Sequence, residues 1–100
     1  MYRATTPTHI FTLPFDTELV KEIRVTYEQE GVTILTKTVS ECELDGADIK
    51  IRLTQEETLL FEPDKRVSIQ LRVLTSDNQV MASDVTKVWA YSCLDEEILS

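Results

Sequence analysis

Glycine occurs twice in these 100 residues, proline three times, cysteine twice and histidine once. Each scarcity closes off a class of chemistry. Gly31 and Gly46 stand alone, so neither a phosphate-cradling loop nor a dinucleotide-binding glycine cluster can be drawn. Cys42 and Cys93 lie far apart and His9 is the one imidazole, too few ligands at too wide a spacing for a four-coordinate zinc site. The Asp45-Gly46-Ala47-Asp48 segment lacks the oxygen ligands of a calcium loop. No metal and no cofactor is therefore expected. No apolar run approaches the roughly 18 residues of a membrane-spanning helix, so no membrane insertion is expected. The first residues show no basic stretch followed by an apolar core, as a secretory signal has. The expectation is synthesis in a reducing compartment, where Cys42 and Cys93 stay thiols. Cations are scarce too: ten lysines and arginines face eighteen acids, a net charge of −8. That balance disfavours nucleic acid and anionic membrane surfaces as partners.

What is abundant is strand-forming. Valine, isoleucine and threonine total 29 residues, and branching at Cβ fits them to pleated strands. The length suits one domain over residues 1–100. Residues 1–8 read as a polar N-terminal arm and 94–100 as an acidic C-terminal tail. Between them, apolar and polar residues alternate in successive short runs. Phe11, Leu13 and Phe15 mark a first strand, demoted to an edge by Pro14. Ile23, Val25 and Tyr27 mark a second, and Gly31 turns it into a third over 32–39. Asp45-Gly46 reads as a hairpin turn before Ile49, Ile51 and Leu53. Thr54-Gln55-Glu56-Glu57 is a capping box, which predicts a short helical turn near 55–61 stopped by Pro63. Val67, Ile69, Leu71 and Val73 form the clearest strand, and a last one runs from Val80 to about Ser92 with a bend near Ser83-Asp84.

About seven strands at spacings of roughly 8–12 residues, with one helical turn late in the chain, predict an all-β, immunoglobulin-like β-sandwich. The predicted core is Phe11, Leu13, Ile23, Val25, Ile34, Ile51, Leu53, Leu60, Phe61, Val67, Ile69, Leu71, Val73 and Val88. His9 reads as a surface or capping histidine. The carboxylates sit at turns and termini, as on a solvated surface. Arg24, Lys50, Arg52 and Arg72 fall on polar strand faces, where pairing with Glu and Thr across strands is expected. No enzyme is expected from this set. The candidate site is an interface. Lys87, Trp89 and Tyr91 share one face of the last strand, and they are exposed if Val88 and Ala90 point inward. The opposite register makes Trp89 the core tryptophan of the sandwich.

The runs Phe11–Asp16, Ile23–Gln29, Leu53–Thr58 and Val67–Leu74 resemble small proteins encoded in prophages of Gram-positive gut bacteria, over nearly the whole chain. The order of strand, capped turn and strand from Thr54 to Arg72 is similar to the N-terminal immunoglobulin-like domain of phage upper-baseplate proteins. The resemblance implies synthesis in a bacterial cytoplasm and a virion-associated role in a tail, baseplate or capsid. The implied contacts are with other phage structural proteins or with a second copy, and no catalytic residue carries over. A carbohydrate-binding module that stacks sugars on exposed aromatics is the alternative, weakened by the assignment of Phe11, Phe15, Tyr27 and Phe61 to the strands and core.

Overall fold

The structure is a computed structural model that describes residues 1–100. Its chain forms eight strands: β1 (Thr8–Thr12), β2 (Val20–Gln29), β3 (Val32–Thr38), β4 (Glu43–Asp45), β5 (Asp48–Arg52), β6 (Lys65–Thr75), β7 (Val80–Ala82) and β8 (Thr86–Ala90). One short helix, α1 (Gln55–Thr58), links β5 to β6. Two antiparallel sheets result. The smaller has the order β1-β5-β4; the larger has β3-β2-β6, with β7 and β8 both on the outer edge of β6. Set against immunoglobulin lettering, these are strands B-E-D on one side and C′-C-F-G on the other, with G broken into β7 and β8. The break falls at Ser83–Val85, where the bend was predicted.

Turn chemistry sets the hairpins. Glu30 and Gly31 both take positive φ, +50° and +79°, as the two-residue turn that matches strand twist requires. Gly46 at φ +58° opens the turn between β4 and β5.

The core forms where the inner faces meet. Ile23, Val25 and Tyr27 of β2 lie directly opposite Val73, Leu71 and Ile69 of β6. Ile49 and Ile51 of the smaller sheet close over them, with Leu53 and Phe61. Most of the predicted core is buried there; Phe11, Leu13, Ile34 and Val88 are half-buried against it. Leu60 is a correction: it is 57% exposed. One turn of helix carries Thr58 and Phe61 to the inside together, three residues apart, and that spacing turns Leu60 outward. Tyr27, Ile49 and Ala90 are the buried hydrophobic residues outside the predicted core, and Thr17, Gln29, Lys37, Thr58 and Thr75 are buried polar ones.

The capping box is present in both directions. Thr54 Oγ1 accepts from the Glu57 amide at 3.1 Å, and Glu57 Oε1 accepts from the Thr54 amide at 2.8 Å. The helix is a single turn, shorter than the predicted span to 61, because Leu60 and Phe61 continue as a tighter turn bonded to Glu57 and Thr58. The Gln29 side chain braces its exit, donating to the Glu62 carbonyl at 3.0 Å and accepting from the Glu62 amide at 2.8 Å. Cys42 and Cys93 are both free thiols. Thr54→Ala removes the cap and is expected to cost about 1 kcal/mol, read as a lower urea midpoint at unchanged slope.

Candidate functional site

β8 lies antiparallel to the first half of β6, with Val67 opposite Val88, Arg66 opposite Trp89 and Ser68 opposite Lys87. Val67 is buried, so Val88 turns inward with it. Period-2 alternation then sends Lys87 and Trp89 to the solvent side. Trp89 is 41% exposed, and Tyr91, one alternation further, is 44% exposed. The core place that a sandwich tryptophan takes is held here by Tyr27 of β2, whose ring lies 5.9 Å from that of Phe61.

The three residues are fixed by backbone, not by side-chain packing alone. The N-terminal arm runs parallel to the end of β8. Its α-amino group donates to the Trp89 carbonyl, the Tyr91 amide donates to the Met1 carbonyl, and the Arg3 amide donates to the Tyr91 carbonyl, each at 2.8 Å. Tyr2 thereby stacks on Tyr91, with ring centroids 5.0 Å apart. Tyr2 therefore joins the patch; it sits in a stretch without periodicity, so no sequence signal marked it. The acidic tail is tied to the body of the domain. Glu96 pairs with Arg3 at 2.8 Å, and the Leu99 amide and carbonyl bond the Gln55 side chain, each at 2.8 Å.

Toward β3 the same outer face carries rows set by register. Thr38, Arg24, Arg72 and Ala82 form one row; Thr36, Thr26 and Gln70 the next; then Thr33, Glu28, Ser68 and Lys87. The expected cross-strand charge pairing holds for Lys50, whose Nζ lies 3.0 Å from Asp45. Arg52 faces Thr8 and Arg24 faces Thr38, as expected, but no carboxylate pairs with Arg24 or Arg72. They lie directly opposite each other, since the inner-face pairing of Ile23 with Val73 and Val25 with Leu71 leaves them no other place.

The interior holds the remaining chemistry-bearing groups. His9 is half-buried, not a surface histidine: register with Ile51 points it inward, and Nδ1 lies 2.7 Å from the Tyr27 hydroxyl. Burial, then the nearby N-terminal charge, holds its pKa below the usual value. Burial, then nearby Cys42, pushes the Tyr27 hydroxyl well up. The Cys42 thiol is pushed up by burial and by Glu41. All three shifts favour the neutral forms, the state in which buried polar groups pack.

Beside them Lys37 is only 6% exposed and ion-paired with Glu57 at 2.5 Å and Glu41 at 3.7 Å. For Glu57, burial opposes the charge, but Lys37 and the Thr54 amide outweigh it and lower the pKa. Glu57 is thus half-buried against the interior, contrary to the expectation of a solvated carboxylate, whereas Glu41 stays exposed.

Comparison with family models, with curated proteins and with solved structures gives no match. The functional reading therefore rests on the geometry of the outer face.

The titration directions predict acid sensitivity. His9 has a folded pKa below its unfolded value of 6.5, so its contribution is complete above 6.5 and is lost as pH falls below it. Glu57 likewise contributes above 4.5 and loses this as pH falls through its lower folded value. The melting temperature is expected to drop in two stages on acidification, and His9→Gln to flatten the stage that begins near pH 6.5.

Proposed function

We propose that this chain is a non-enzymatic docking module of a phage or prophage particle that binds another structural subunit through the outer face of its larger sheet. The observation that carries the reading is the aromatic cluster of Trp89, Tyr91 and Tyr2 on a face braced by main-chain bonds. Large aromatics lose little side-chain entropy on contact and are the commonest anchors of protein interfaces. A cluster already held in place also avoids much of the ordering cost of association. The kind of particle follows from the resemblance of the strand runs to prophage-encoded proteins, and co-encoded tail, baseplate or capsid proteins are the partners to try first.

Trp89→Ala is the test. The residue stands on a solvent face, so the unfolding free energy from urea titration is expected to stay within about 0.5 kcal/mol of the wild type. Association with a co-encoded structural protein is expected to weaken by about 2 kcal/mol, roughly thirtyfold in Kd, in sedimentation velocity. The reading fails if the variant unfolds, or if the wild type and the variant associate equally. A glycan array on the wild type separates the carbohydrate-binding alternative: strong, Trp89-dependent signals there would replace the protein partner with a sugar.

A further inference from the structure

The cations of this chain are not spread evenly. Of the ten lysines and arginines, Arg3, Lys37, Lys50 and Lys65 are ion-paired with carboxylates. Four of the remaining six, Arg24, Arg66, Arg72 and Lys87, stand exposed on the outer face of the larger sheet, on the same side as Trp89. Glu22, opposite Leu74, and Glu28, in the row of Lys87, are the acids that β2 adds to this face, so the face is net positive on a protein of charge −8. Arg24 and Arg72 are directly opposed across adjacent strands, an arrangement that destabilises a sheet. Both, together with the single acid Glu22, also line a shallow groove of about 240 Å³ whose apolar side is formed by Val39, Leu74 and Val80, so its two cations outnumber its one carboxylate.

We infer that the Arg24–Arg72 pair is the receptor for carboxylates of an acidic polypeptide segment in the partner. The inference rests on the outer-face docking reading and adds the chemistry of the partner. Two adjacent guanidinium forks suit carboxylates bidentately, and an anion between them turns mutual repulsion into attraction. The apolar wall suits the uncharged residues of such a segment. A second copy docked by the same face is disfavoured, because a two-fold contact would lay four cations against the same four. Nucleic acid is the competing anionic ligand, opposed at long range by the net charge of −8, and oligo-dT in the test distinguishes it.

The test pairs a stability measurement with a binding one. Arg24→Glu places a carboxylate opposite Arg72, so the variant is expected to melt higher than the wild type. Fluorescein-labelled poly-L-glutamate, followed by anisotropy at about 50 mM salt to limit screening, is expected to bind the wild type and to bind Arg24→Glu at least about tenfold more weakly. Greater stability with lost binding is the signature of a residue kept for a ligand and not for the fold. The proposal is overturned if the wild type does not bind polyglutamate, or if Arg24→Glu binds it equally or melts lower. It is also overturned if oligo-dT binds more tightly than polyglutamate, or if the wild type alone dimerises in a manner that Arg24→Glu abolishes. Trp89→Ala, measured against the co-encoded partner, separates the two ideas. Partner binding that needs Trp89 without any polyglutamate binding leaves the docking face standing and removes its acidic ligand.

Discussion

The long ladder between β2 and β6 constrains the rest of the molecule. Along it, Ile23, Val25 and Tyr27 face Val73, Leu71 and Ile69, and each apolar pair lies on the side that the smaller sheet covers. Because side chains alternate, the burial of these six fixes the outward direction of every residue between them. Arg24 meets Arg72 as a consequence of that burial, and Thr26 meets Gln70. A slip of one residue would put two arginines into the core, so the electrostatic conflict on the surface is far smaller than the alternative. The same parity, passed from β6 to β8 through Val67 and Val88, brings Trp89 into the open.

At one end of the sandwich the interior is polar, and local and tertiary structure meet there. The capping box that starts α1 also aims Glu57, which then reaches Lys37 of β3. Glu41, whose carboxylate accepts from the Thr38 amide at 3.0 Å, approaches the same ammonium. A buried ion pair adds little net stability, since desolvation offsets attraction, but one partner without the other is costly. The arrangement therefore acts on where α1 sits against β3. The His9–Tyr27 bond plays the same part between β1 and β2, giving each buried polar group a partner.

Charge distribution links fold to function. An overall negative protein that sets the unpaired Arg24 and Arg72 against each other, on the same sheet face as the exposed Trp89, retains a local instability where packing does not demand it. Replacing either arginine with a neutral or acidic residue would relieve the sheet without touching the core. That the face keeps them is the physical ground for reading it as a contact surface for acid-bearing protein, and the braced arm under Tyr2 and Tyr91 is the ground for reading the surface as preorganised.

By itself the sequence determined what depends on neighbours along the chain. The alternation in 23–27 and 67–73 specifies strands and their buried faces, Gly31 and Gly46 specify turns, and Thr54 with Glu57 specifies where the helix starts. Even the exposure of Lys87, Trp89 and Tyr91 follows from two small apolar neighbours, Val88 and Ala90, once these are taken as core. Tertiary structure decided what depends on which strands become neighbours. The opposition of Arg24 and Arg72 needs the β2–β6 register, 48 positions apart in the chain. The burial of Lys37 needs α1 to deliver Glu57, and the inward turn of His9 needs Ile51 beside it. Tyr2 joins the aromatic cluster only because the arm pairs with β8 at the far end of the chain. Alternation along a strand is local and legible; pairing between strands is a long-range choice made by the whole core at once, and the outer face inherits it.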